Sequence, residues 1–384
     1  MSSSPQTSFS HVERCIATVR NGGVIVMVDD EDRENEGDLV VAADHCTPEK
    51  VNFMCREARG LVCLALTPQR IEQLELPMMV PKRADDMSTA FTVSIEAREG
   101  VTTGISAADR ARTIRVATDP TRGALDIVSP GHVFPLRAQP GGVLVRSGHT
   151  EGSVDIARLA GCNPAAVICE IMRDDGQMAR MEDLRAFAAR HELEVLTIAD
   201  LIEYRLRNEL LVEQVDAAPL PSPVLGLQLA DDWTIRTFRS TVEPRSQFIA
   251  LTKGELSTRD DVGVLLRAQR ADMIGDLFGT SSRRSGVRMR AALRQIDRAG
   301  SGVFLYVVGD NAIGSRLSLG AEPDGELPAR PRDAGFRDFG LGAQVLRALG
   351  VRTIRVMTNN PRKIVGLEGF GIAVAGSVAL EANA

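Results

Sequence analysis

Ten residues, Asp29-Asp30-Glu31-Asp32-Arg33-Glu34-Asn35-Glu36-Gly37-Asp38, include seven carboxylates and stand between two short apolar runs, 24–28 and 39–42. Short apolar runs of this kind read as buried strands. A solvated, disordered acidic run does not normally sit between two of them. If the latter part is extended, alternation sends Glu34, Glu36 and Asp38 to one side and Arg33 and Asn35 to the other. Three carboxylates on one face repel unless a hard cation or positive groups lie among them, and oxygen donors suit Mg²⁺ or Mn²⁺. A charged surface hairpin is the alternative, and composition alone does not separate the two.

The rest of the chain alternates strands and helices, which implies layered sheets covered by helices. Expected helices in the first half are 11–20, a segment from Pro48 closed by Gly60, 106–117, 151–160, 181–190 and 199–211. Expected strands are 24–28, 39–42, 61–66, 91–95 and 166–171. In the second half we expect strands at 233–238, 246–251, 262–267, 303–308 and 353–357, and helices at 286–299, 340–349 and 361–367. With 384 residues and roughly 150 residues per domain, two or three domains are expected. Residues 215–223, with Pro219, Pro221 and Pro223, read as a stiff extended linker. The expected division is a first domain at 1–208, a linker at 209–223 and a second domain at 224–384. The first 208 residues carry 23 basic and 31 acidic side chains, and the remainder 22 and 20. The overall charge of −6 argues against a nucleic-acid partner. No apolar run reaches the roughly 18 residues of a membrane span, and the polar start does not read as a secretory signal.

All six cysteines and all five histidines lie in the first 191 residues. Their irregular spacing, with no CxxC pair, points to free thiols in a reducing compartment. The second half holds no Cys or His, so it cannot build a structural zinc site alone.

Three further stretches offer chemistry. Arg146-Ser147-Gly148-His149-Thr150 precedes a helix, and a helix N-terminus with an arginine suits an anion. His149 is a metal ligand or acid/base there, or a structural histidine; Gly131-His132 is a weaker second candidate. Thr102-Thr103-Gly104-Ile105-Ser106 suits phosphate or, equally, an N-cap with Asp109 three residues on. Glu170 ends an apolar strand, where desolvation would raise its pKa, unless it faces solvent. Arg290, Arg294 and Arg298 share a helix face that reads as solvated rather than anion-binding.

Residues 8–208 resemble 3,4-dihydroxy-2-butanone 4-phosphate synthases. The likeness is carried by DDEDRENEGDL (29–39), LPMMV (76–80), FTVSIEAREGVTTGISAADR (91–110), SPGHVFPLRAQPGGVLVRSGHTE (129–151) and CEIMRDDGQMAR (169–180). The resemblance implies a mixed-sheet α+β or α/β domain and a lyase of riboflavin biosynthesis. Its reaction converts D-ribulose 5-phosphate to L-3,4-dihydroxy-2-butanone 4-phosphate and formate with Mg²⁺ or Mn²⁺. It also implies a cytoplasmic homodimer with sites near the subunit interface. Glu34 and His149 match metal ligands. Arg33, Glu34, Asp38, Arg146, Ser147, Gly148, His149, Thr150 and Glu170 match substrate contacts, with 146–150 cradling the phosphate. His132 and Glu170 match catalytic positions. Proton loss next to a carbonyl, loss of water and skeletal rearrangement need several separately placed acids and bases, as this set provides.

Residues 233–378 resemble GTP cyclohydrolase II, an α/β domain, at Gly275-Asp276-Leu277-Phe278, Gly302-Val303-Phe304-Leu305-Tyr306, Arg337-Asp338-Phe339 and 358–363. That family binds zinc through three cysteines, where this chain has Asp272, Arg283 and Ser285. A Gln-Glu-Gly-Arg stretch after the tyrosine is here Gly309-Asp310-Asn311-Ala312. Gly335 replaces the aspartate of an Asp-x-Arg pair, while Arg337 remains. Arginine offers no lone pair to a metal, so no zinc is expected and the second domain is expected to be non-catalytic. The alternatives are zinc-independent turnover of GTP, or a regulatory or interaction module.

Overall fold

The computed structural model describes residues 5–30, 33–80, 88–242, 246–256, 263–278, 285–309, 332–359 and 370–381. The chain divides into two units, Met1–Arg205 and Leu206–Ala384.

The first unit runs α1 (Pro5–Arg20), β1 (Ile25–Val28), β2 (Gly37–Ala42), α2 (Pro48–Phe53), β3 (Cys63–Leu66), α3 (Pro68–Gln73), β4 (Ile95–Ala97), α4 (Ala107–Thr118), β5 (Ile127–Arg137), α5 (His149–Leu159), β6 (Ala165–Glu170), α6 (Met181–His191), β7 (Glu194–Thr197) and α7 (Ile198–Asn208). Local chemistry starts several helices. Thr47 and Thr67 accept the N–H groups of Lys50 and Arg70 as N-caps, each followed by a proline, where the missing N–H is no loss. Ser106 caps α4 by accepting the Asp109 N–H, and the Asp109 carboxylate takes up the Thr102 hydroxyl and the Gly104 N–H. This loop therefore follows the capping alternative.

The strands form one mixed sheet in the order β4-β5-β3-β6-β2-β1-β7. Its central strands are buried on both faces, which is why they read as unbroken apolar runs. Val26, Val28, Leu39, Val41, Val167 and Cys169 pack into a core with residues of α2, α4 and α6. The alternate residues face α5, whose Gly152 lies against the Met27 sulfur. All six cysteines are free.

Two elements differ from expectation. Residues 127–137 contain two prolines, which count against a strand in a sequence reading, yet they form β5. Pro135 contributes only its carbonyl, which accepts the Thr92 N–H. Residues 91–95 pair only through isolated bridges before β4 begins at Ile95.

The second unit contains β8 (Val212–Pro219), β9 (Trp233–Ser240), β10 (Gln247–Lys253), β11 (Val264–Arg270), α8 (Met273–Phe278), α9 (Ser285–Ala299), β12 (Gly302–Val308), α10 (Arg332–Ala348), β13 (Thr353–Met357) and β14 (Ala373–Val378). Its sheet is also mixed, ordered β14-β13-β11-β12-β10-β9-β8. The segment read as a linker is extended but not free: β8 is an edge strand paired antiparallel with β9. Almost every residue of it is exposed, so it lacks the apolar alternation that marks a strand. Its prolines sit at or after its end. The helix expected at 361–367 lies outside the described residues. No described helix is long and apolar enough to cross a membrane.

Candidate functional site

The acidic run lies between β1 and β2, which pair antiparallel with Val28 opposite Gly37, and residues 31 and 32 of it lie outside the described ones. Asp29 organises it. Its side chain is wholly buried; Oδ1 accepts the Glu36 N–H at 2.8 Å, and Oδ2 accepts Arg33 Nη1 at 2.6 Å and the Glu34 N–H at 3.3 Å. Asn35 adopts a φ of 54°, which breaks the extended backbone, so the expected two-sided alternation over 33–38 does not form. Arg33 lies between carboxylates, 2.6 Å from both Asp29 and Glu34.

The carboxylates converge nonetheless. Asp38 on β2 stands directly opposite Glu170 on β6, and such cross-strand pairs share a face. Asp38 is only 3% exposed. Burial first, then the facing Glu170 carboxylate, holds its pKa well above the ordinary range. Glu170 is half-buried, and its Oε2 accepts the Leu61 N–H at 2.8 Å. The strongly desolvated carboxylate is therefore Asp38, not Glu170 as its strand position suggested. A Cβ on Gly60 would come within 2.3 Å of the Glu170 carbonyl oxygen. Gly60→Ala is therefore expected to cost about 1–3 kcal/mol of stability and to lower turnover by moving Glu170. Denaturant unfolding and rate measurements check this, and a variant unchanged in both would refute it.

His149 begins α5 and is 7% exposed. Its Nδ1 lies 3.9 Å from Asp38 Oδ1. Burial lowers its pKa despite the nearby Asp29 carboxylate, so the neutral imidazole is favoured. Among the described residues, its Nε2 and Asp38 Oδ1 are buried without a hydrogen-bond partner. Ligand atoms of Asp29, Glu34 and His149 lie within 4.8 Å of one another. One imidazole lone pair among carboxylate oxygens fits a hard divalent cation. Asp29 was missed as a member of this cluster, and its oxygens are already engaged by the turn.

Residues 146–150 lead into α5, with Gly148 as its N-cap and Thr150 buried. Ser147 is half-buried. Arg146 is 3% exposed; its Nη1 donates to Glu151 Oε2 at 2.5 Å and its Nη2 to Thr89 Oγ1 at 3.2 Å. Glu151 carried no sequence signal beyond its place in the first turn of the helix. His132 does not join the cluster within one chain. It is partly exposed on β5, with Nδ1 2.8 Å from Glu96 Oε2, and β3 and β6 separate β5 from β2. Three strand spacings amount to about 14 Å. Glu96 also went unassigned in the sequence. Its carboxylate fills the space over Gly104, where a Cβ would approach to 1.6 Å.

In the second unit, Asp272 and Ser285 stand at two of the zinc-ligand positions and hydrogen-bond each other at 3.3 Å. Asp276, 1% exposed, accepts Gln269 Nε2 at 2.9 Å, the Asp272 N–H at 3.0 Å and the Tyr306 hydroxyl at 2.7 Å. An aspartate and a serine already bonded to each other are a poor donor set for zinc, which takes thiolate or imidazole in structural sites. Arg283, the Arg337 side chain and residues 360–363 lie outside the described residues.

Comparison with known proteins fits this picture. Residues 13–204 match the 3,4-dihydroxy-2-butanone 4-phosphate synthase family, and residues 219–379 match GTP cyclohydrolase II. The riboflavin biosynthesis protein RibBA of Aquifex aeolicus is 48% identical over 99% of this chain and 95% of its own. The crystal structure of RibBX, a two-domain 3,4-dihydroxy-2-butanone 4-phosphate synthase from A. baumannii, aligns with a TM-score of 0.76 at 39% identity, over 96% of this chain and 99% of that one. A 3,4-dihydroxy-2-butanone 4-phosphate synthase solved with two magnesium ions aligns with a TM-score of 0.50 at 44% identity, over 51% of this chain and 97% of that one. The chain belongs to the 3,4-dihydroxy-2-butanone 4-phosphate synthase family of riboflavin biosynthesis enzymes, in the form whose synthase domain is fused to a GTP cyclohydrolase II-type domain.

Proposed function

We propose that this chain converts D-ribulose 5-phosphate to L-3,4-dihydroxy-2-butanone 4-phosphate and formate, and that its second domain does not turn over GTP. The observation that carries the first part is the convergence at one end of the sheet of Asp38, Glu170, Glu34 and a His149 whose Nε2 has no partner among the described residues. Glu34 and His149 would hold Mg²⁺ or Mn²⁺, which when bound acidifies the carbon-bound proton next to the substrate carbonyl. Arg33 and the 146–150 segment bind the substrate, the latter through its phosphate. Within that segment the backbone and hydroxyls of Ser147, Gly148 and Thr150 do most of the holding, because Arg146 is already engaged by Glu151. Asp38, buried and high in pKa, carries a proton where the substrate needs a donor. Glu170, held by the Leu61 N–H, stands opposite it to accept one. His132, oriented by Glu96, supplies a further acid/base. Its distance from the cluster, and the exposed Leu125 and Val128 nearby, support a homodimer in which the sites lie near the subunit interface.

The Asp272–Ser285 pair supports a non-catalytic second domain, as does the two-domain A. baumannii protein described as a synthase. No zinc is assigned to it. One preparation tests both parts. With Mg²⁺ and ribulose 5-phosphate, formate is expected. With GTP, with or without added zinc, no turnover is expected. Absence of formate rejects the first part, and GTP turnover lost on Arg337→Ala rejects the second.

A further inference from the structure

Behind residues 146–150 lies a layer of buried charge that the proposed chemistry does not use. Helix α5 buries two carboxylates one turn apart, Glu151 at 1% and Asp155 at 5% exposed. Both reach back to the loop that precedes the substrate segment. Glu151 Oε1 accepts the Gln139 N–H at 2.9 Å, and Asp155 Oδ2 accepts the Val143 N–H at 2.8 Å. Each carboxylate meets an arginine: Arg146 of the substrate segment itself for Glu151, and the distant Arg205 of α7 for Asp155. Arg205 Nη1 donates to Asp155 Oδ2 at 2.7 Å and to the Gly141 carbonyl at 2.8 Å. One arginine thus holds the carboxylate and the turn together.

The turn needs that space. Gly142 has a φ of 65°, and a Cβ there would stand 2.2 Å from Asp155 Oδ2. The geometry then passes directly to the substrate segment, because the Val145 and Arg146 N–H groups both donate to the Gly142 carbonyl, at 2.9 and 3.1 Å. A buried ion pair contributes little net stability, since desolvation offsets attraction. What this one supplies is a fixed position for Gly142, and hence for Arg146.

We propose that Arg205 and Asp155 are positioning residues for substrate binding, setting the place of residues 146–150 from behind without touching the substrate. The proposal rests on reading that segment as the phosphate cradle. The segment holds the phosphate and not the reacting carbons, so its displacement falls on substrate affinity more than on the chemical step.

The test is steady-state kinetics on the full chain with ribulose 5-phosphate, with inorganic phosphate as a competing anion. Arg205→Met is expected to raise KM about tenfold and the inhibition constant of phosphate by a similar factor, with kcat within about threefold. Arg205→Lys keeps the charge, but its ammonium ends one bond short of Nη1, the single nitrogen that reaches both Gly141 and Asp155, and shifts both constants in the same direction by less. A folded Arg205→Met with unchanged KM and phosphate inhibition overturns the proposal, as does a lower melting temperature with no change in either constant. Should Arg205→Met not fold, Arg205→Lys decides, and wild-type values of both constants overturn it. Wild-type enzyme that makes formate but is not inhibited by phosphate overturns the cradle reading and the proposal with it. Phosphate inhibition of the wild type that survives unweakened in the variants overturns the positioning role alone.

Discussion

His149→Ala is expected to reduce turnover of ribulose 5-phosphate by more than about 100-fold, since loss even of a group supporting a metal ligand costs roughly 10–100-fold. The imidazole is buried at the start of α5, faces Asp38, and presents a nitrogen with no partner among the described residues. Alanine deletes the one nitrogen donor of the cluster and leaves the carboxylates to repel one another. Glu34→Ala is expected to act in the same direction, although Glu34 is more exposed and also pairs with Arg33. Both variants should fold, because neither side chain anchors the hairpin turn; that role belongs to Asp29. Titrating Mg²⁺ or Mn²⁺ against each variant, by calorimetry and by formate release, separates lost metal binding from lost acid/base work. Near-normal turnover in either variant would reject the ligand assignment.

Asp276→Ala is expected to lower the stability of the second unit by about 3 kcal/mol, because it strands three donors and each unsatisfied buried group costs about 1–3 kcal/mol. The Tyr306 hydroxyl is half-buried and regains part of its loss from water. The Asp272 N–H also lies on a half-buried residue, and the buried Gln269 amide keeps only a longer bond to the Ser285 carbonyl, at 3.4 Å. Trp233, the only tryptophan of the chain, is buried in the same unit, so its fluorescence reports the unfolding of this half. Wild-type unfolding followed in this way should be unmoved by a strong zinc chelator, because the polar network around Asp276 ties α8 to β11, β12 and the start of α9. A chelator-induced drop in the wild type would show that a metal holds this unit. An unchanged midpoint in Asp276→Ala would show that the network does not.

Much of this protein is legible in its sequence because the relevant signals are local. The apolar runs flanking an acidic segment marked strands β1 and β2, while their pairing as a hairpin was one of two readings. Thr47-Pro48 and Ser106 marked helix starts through side-chain caps that act within three residues. The absence of Cys and His after residue 191 excluded a zinc site of thiolates and imidazoles in the second half before any fold was known. The motif at 146–150 marked a candidate substrate segment ahead of a helix that in fact starts at His149.

What the sequence left open depends on pairings between distant segments. Asp38 is buried opposite Glu170 because β2 and β6 adopt one register, and a slip by one residue would send each carboxylate to the other face. The same register buried Asp38 and left Glu170 half-buried, which the sequence had left open between burial and solvent. The left-handed Asn35 broke the expected alternation, so tertiary contacts rather than a simple face gather Glu34, Asp38 and His149. Arg146 meets Glu151, His132 meets Glu96 and Asp155 meets Arg205 for the same reason. The sequence by itself, through the family it resembles, determined the family and the candidate reactive groups; only the packed structure decided which charges are buried and which partners they meet, because burial and partner choice are set by strand register and helix docking.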